Sequence, residues 1–121
     1  MDKIIDFYTG YEGEPEIIFY FENAEDKHVQ LKVWIGHFDA IMVAIEPTPN
    51  GWNGLSRYYH TDTGWVEESP WKIPDLDEAL HNIQHADNAK LDHTALLVYH
   101  NLCELLHQAK IMNQNVWIEY S

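Results

Sequence analysis

Positive charge is scarce in this chain. Seven of its 121 residues are basic and Arg57 is the one arginine, against twenty acids and a formal net charge of -13. A field of that sign repels phosphate backbones and anionic membrane surfaces, and it attracts basic proteins. Cysteine is scarcer still. Cys103 stands alone, so an internal disulfide is excluded and a reducing, cytoplasmic compartment is expected. The opening MDKIIDFYTG has no charged region followed by a long apolar stretch, so no secretory signal is expected there. The apolar run Ala40–Ile45 falls far short of the roughly 20 residues a bilayer requires. Internal repeats, low-complexity tracts and Pro/Gly-rich linkers are absent, as are a P-loop, a G-x-G-x-x-G and a G-x-S-x-G.

What is present is the composition of a folded body. Hydrophobic residues make up 45% of the chain and aromatics 13%, well above the disordered range, so the acids decorate a core rather than a tail. One domain, residues 1–121, is expected. The acid excess is uneven. Residues 1–78 carry a net charge of -11 and residues 79–121 only -2.

The first half reads as strands. Ile4–Tyr8 is a short β-prone run, and Glu16–Glu22 is rich in β-branched and aromatic residues. The polar stretch Asn23–Lys27 reads as a hairpin connection. Val29, Leu31, Val33 and Ile35 alternate with polar residues and Trp34, the period of a strand with one buried face. The apolar run Ala40–Glu46 reads as a central strand ended by Pro47. Arg57–His60 and Gly64–Glu67 read as a hairpin around Thr61-Asp62-Thr63-Gly64.

The second half changes period. Asp75 is a candidate N-cap with Glu78 as its capping-box partner, and Leu76, Ala79, Leu80 and Ile83 share one helical face. Leu91, Ala95, Val98, Leu102, Leu105, Ala109 and Met112 form a stripe over six turns, widened by Leu96, Tyr99, Cys103 and Leu106. Asn113–Asn115 ends that helix, and Val116-Trp117-Ile118 reads as a last strand. The expected class is α+β: a mostly antiparallel sheet with two helices, about 75–86 and 90–112, packed on one face.

Candidate chemistry is sparse. His81 and His85 have the i,i+4 spacing that lets two imidazoles share a metal, but Asn82 stands where a His-Glu-x-x-His motif would carry its glutamate, and no third ligand is evident. A solvated helix face competes with that reading. His93, His100 and His107 recur every seven residues opposite the apolar stripe, the outer face of an amphipathic helix. Cys103 lies on an apolar face and reads as a small hydrophobe. No catalytic residue and no cofactor are expected. Of five tryptophans, Trp34 has the parity of the polar side of its strand, so it either covers an open sheet face or is closed over by the chain. Trp65 and Trp71 stand among Glu67, Glu68, Asp75, Asp77 and Glu78, which reads either as aromatic anchors in a charged rim or as a solvated acidic loop.

In size, acidity, strand-rich front and helical back, and in the tryptophan-bearing blocks Gly64–Ile73 (GWVEESPWKI) and Val116–Glu119, the chain resembles the small acidic immunity proteins of bacterial toxin systems, including contact-dependent growth inhibition. The resemblance implies a protein that binds a cognate basic toxin in the cytoplasm, a nuclease domain above all, and occludes its active site. Partner contact is expected from Asp62, Trp65, Glu67, Glu68, Trp71, Asp75, Asp77 and Glu78. The alternatives are a nucleic-acid mimic directed at a DNA-binding protein and a small metal-binding or enzymatic domain using the helix histidines.

Overall fold

Alternation builds the sheet. In the computed structural model, which describes residues 3–22, 28–61 and 65–121, β1 (Lys3–Phe7), β2 (Glu16–Glu22) and β3 (His28–Trp34) come first. Two helices follow, α1 (Ile35–Val43) and α2 (Gly54–Thr61), then the two-residue β4 (Trp71–Lys72). The chain closes with α3 (Leu76–Ile83), α4 (His93–Ile111) and β5 (Trp117–Tyr120). In β2 and β3, Ile17, Phe19 and Phe21 stand opposite Val33, Leu31 and Val29. All six point to the face that the helices cover, because side chains two apart in a strand share a face. Ile118 of β5 extends the row beside Phe19.

The strand order is β1-β3-β2-β5-β4. The sheet is mixed, not mostly antiparallel as expected, because β1 joins β3 in parallel register, Ile5 opposite Leu31. Residues 8–15 do not turn back as a hairpin. They cross the end of β3 to reach β2, with the Ile35 N–H donating to the Pro15 carbonyl at 3.1 Å. This crossover closes over Trp34. The Tyr11 ring stacks on the indole with centres 4.3 Å apart and planes 6° apart, and a Cβ at Gly36 would stand only 2.3 Å from the indole ring.

The described residues hold four α-helices rather than the two expected. The run Ala40–Glu46 is not a central strand. Its residues lie largely in α1, which buries His37, Phe38, Ile41 and Met42. Those positions make a helical stripe, while Val43 is 68% exposed; a strand would have put Ile41 and Val43 on the same face. A continuous apolar run lacks the periodicity that separates the two states. Arg57–His60 is likewise not a strand but part of α2, and Trp65–Glu67 is a turn of 3-10 helix. The expected turn residues Asp62, Thr63 and Gly64 lie outside the described residues, as does the Asn23–Lys27 connection.

Both expected helices are present. α4 starts at Asp92, whose Oδ1 accepts the Ala95 N–H at 2.8 Å. It stops at Asn113, which takes a left-handed φ of 56°. There the Gln114 N–H reaches the Ala109 carbonyl and the Asn113 N–H the Lys110 carbonyl, a paired arrangement that satisfies the last carbonyls of a helix. Ala95, Val98, Leu102, Leu105 and Ala109 are buried, and His93, His100 and His107 are exposed. α1 and α4 rest on the sheet; α3, expected on the sheet beside α4, packs instead on α4 and α2. No helix among the described residues is long and apolar enough to cross a membrane.

Candidate protein-binding surface

The surface around α3 is set by its two ends. Asp75 caps the helix, its Oδ1 accepting the Glu78 N–H at 3.0 Å. The Glu78 carboxylate does not return to Asp75 as a capping box would have it. Its Oε1 accepts the Gly54 N–H, 24 residues away, at 2.7 Å. One turn on, Asn82 Oδ1 accepts the Ser56 N–H at 3.1 Å, while its Nδ2 donates to Ser56 Oγ at 3.0 Å and to Asn53 Oδ1 at 3.3 Å. Two side chains of α3 thus satisfy N–H groups that the first turn of α2 leaves without a helical partner. Asp75→Ala should lower stability by about 1 kcal/mol, the usual worth of an N-cap. Asp77→Ala should change it by less than about 0.5 kcal/mol, since its ion pair is exposed. Urea denaturation of the two variants separates these roles.

Five acids reach solvent in the stretch 67–78: Glu67, Glu68, Asp75, Asp77 and Glu78, with Lys72 the one base among them. Asp77 Oδ1 lies 2.5 Å from Lys110 Nζ on α4. Clefts flank the ridge that α3 makes. One of about 280 Å³ runs between Pro74, Asp77, Lys110 and Asn115. A shallower one of about 480 Å³ lies against Asp77, Glu78, His81 and Gln84. On the far side, a groove of about 410 Å³ separates the 44–49 segment from His81 and His85.

The two tryptophans of this stretch pack on each other. Trp65 and Trp71 meet edge to face, centres 4.7 Å apart at 73°. Tyr58 closes the cluster at 4.9 Å from Trp71, with the Arg57 guanidinium 5.9 Å above the Tyr58 ring. Trp65 is only 8% exposed and belongs to the core, whereas Trp71 is half-buried. Trp65 is therefore not a surface anchor. The acids, not the tryptophans, form the outward part of the site. Asp62 lies outside the described residues. Sequence reasoning missed Gly54, Asn82 and Lys110, which meet their partners across helix–helix contacts, and Tyr58, which meets Trp71 across a contact between α2 and β4.

Other reactive groups are held in structural roles. Cys103 is half-buried. Burial pushes its thiol up from the usual value, against a hydrogen bond with Tyr99 that pulls the other way, and a thiolate is disfavoured there. Ser69 Oγ accepts the Tyr120 N–H at 3.1 Å. Burial, and then the Asp39 carboxylate that accepts its hydroxyl at 2.9 Å, push Tyr59 up to about 12. Among the described residues no group of three or more His, Cys, Asp or Glu stands together as a ready-made metal cage.

His37 is 4% exposed, with the Trp34 ring 5.0 Å and the Tyr11 ring 5.4 Å from its own. Burial holds its imidazole below the ordinary histidine value, with Asp92 opposing. The unfolded chain therefore takes up this proton first as pH falls. Stability supplied by neutral His37 is complete above the unfolded value, near 6.5, and is lost as pH drops from there toward the lowered folded value. Urea midpoints at pH 7.5 and pH 5.0 should fall further for the native chain than for His37→Phe. Equal falls would show that the imidazole does not titrate in this way.

Compared with protein-family models, curated proteins and solved structures, the chain matches none.

Proposed function

We propose that this protein is an inhibitor of the immunity-protein kind, acting in the cytoplasm, that binds a basic protein toxin and occludes its active site. The observation that carries the reading is the exposed acidic stretch 67–78 on and beside α3, with clefts along the helix into which a partner's side chains fit. Opposite fields raise the encounter rate, and affinity then comes from a few desolvated contacts at the centre of the interface. A nuclease domain is the favoured target, because a cleft built for phosphates is basic and an acidic surface competes for it. Trp71 offers an apolar edge next to the acids, and Lys110 holds Asp77 in place on the ridge. No cofactor enters this mechanism.

The reading predicts that this gene lies directly downstream of a toxin gene, and the test begins with that gene's product. Mixed with it, the protein should abolish its activity at one-to-one stoichiometry, and the association rate should fall steeply with salt. A toxin left fully active by a molar excess of this protein would refute the reading.

A further inference from the structure

The groove between the 44–49 segment and the C-terminal half of α3 contains two exposed imidazoles, His81 and His85. We propose that this pair binds a divalent transition-metal ion of borderline softness, zinc or nickel, through one nitrogen of each ring, with water in the remaining positions. His81 also borders the 480 Å³ cleft of the protein-binding reading, but the metal site does not depend on that reading.

Spacing is the first argument. The two ring centres are 4.5 Å apart and the planes are inclined at 69°. Imidazoles bound side by side to one ion, with nitrogen–metal distances of about 2.0–2.1 Å, place their ring centres roughly 4.5 Å apart at a right angle and roughly 5.2 Å apart at the tetrahedral angle. The rings therefore already stand at the separation a right-angled chelate needs.

Orientation is the second argument. His85 Nδ1 lies 2.7 Å from the main-chain oxygen of His81. A carbonyl only accepts, so Nδ1 carries the hydrogen of the neutral ring and Nε2 carries the lone pair. The reason for this bond lies in the helix end. The last four carbonyls of α3 have no helical partner of their own. Leu80 O accepts from Gln84 N–H, Asn82 O from His85 N–H and Ile83 O from Ala86 N–H. His81 O is left over, and the His85 side chain takes it. A backbone carbonyl holding the second ring nitrogen is how metal-binding histidines are commonly oriented.

Charge is the third. Glu46 and Asp87 line the same groove, and the C-terminal end of a helix carries partial negative charge. Lys90 also lines it and pairs with Glu46, its Nζ 3.7 Å from Glu46 Oε1, which leaves Asp87 as the groove's uncompensated acid. The surrounding field of a chain at -13 concentrates cations. Imidazole then selects zinc, nickel or copper over magnesium and calcium. Asp77, one turn before His81, is engaged by Lys110 and supplies no third ligand.

The full chain, without a histidine tag, should be titrated with zinc chloride alone and, separately, with magnesium chloride at pH 7.5. One zinc per chain is expected, with the ring signals of His81 and His85 shifting together and no such response to magnesium. His81→Gln leaves the main-chain carbonyl and the His85 capping bond in place, and it should weaken zinc binding by about tenfold or more. His85→Ala should weaken it as well. A variant with His93→Gln, His100→Gln and His107→Gln should bind within about twofold of the native chain, since these residues lie on another helix. Circular dichroism melts establish that each variant is folded. Unmoved His81 and His85 signals at saturating zinc, unchanged affinity in both single variants, loss of binding in the triple variant, or an equal response to magnesium would each overturn the proposal.

Discussion

Gly54→Ala should cost about 3 kcal/mol of folding stability, the largest effect expected from so small a change in this chain. Two costs combine at that position. Gly54 holds a φ of 54°, in the left-handed region, where a side chain is strained by about 1–2 kcal/mol. A Cβ there would also stand 2.6 Å from Asn82 Cβ and 3.0 Å from the Glu78 carbonyl oxygen. Neither neighbour yields easily. The Glu78 carbonyl is helix backbone, and Asn82 is buried and bonded to both Ser56 and Asn53. Relief requires α2 to move away from α3, which breaks the bond from the Gly54 N–H to Glu78. The melting temperature should drop by roughly 10 °C for a chain of this size. A loss below about 1 kcal/mol in urea denaturation would show that the two helices are not docked this closely.

Glu67→Lys, Glu68→Lys and Asp77→Lys, made together, should slow association with the target toxin by roughly 10- to 100-fold at low salt. Each exchange adds two positive charges, so the net charge moves from -13 to -7. The choice of residues follows from the structure. Asp75 and Glu78 are also exposed, but one caps α3 and the other holds the start of α2. Reversing those two would unsettle the fold and confuse the result. Asp77 is tied only to an exposed lysine, and a lysine in its place, near the start of α3, should cost about 1 kcal/mol or less. Stopped-flow association, with a circular dichroism melt as the control, reads the effect. An unchanged rate in a folded variant would move the interface away from α3.

Local signals were legible where the physics is local. The alternation in β2 and β3 and the apolar stripe of α4 record which face of each element is buried, and that record lies within a few residues. The Asp75 cap was legible because its acceptor and donor are three residues apart. α1 and α2 were misread for two different reasons. In α1 a continuous apolar run carries no period. In α2 the β-prone Arg57–His60 segment is outweighed by bonds from Glu78 and Asn82, groups more than twenty residues distant. The parallel pairing of β1 with β3 was unreadable because it depends on where residues 8–15 cross, a matter of chain path rather than residue type.

The candidate site divides along the same line. The chain's acidity, the crowding of acids into residues 1–78 and the helix start at Asp75 follow from residue types alone, since charge and capping are properties of residues and near neighbours. Which groups face out and which are occupied depends on the packed fold. It turned Trp65 and Trp71 onto each other and onto Tyr58, and it assigned Glu78 to a neighbouring helix. It also set Asp77 against Lys110. These are contacts between elements distant in the chain, and they form only when the helices pack, because a buried ring or an orphan N–H is satisfied by whatever group the fold brings beside it.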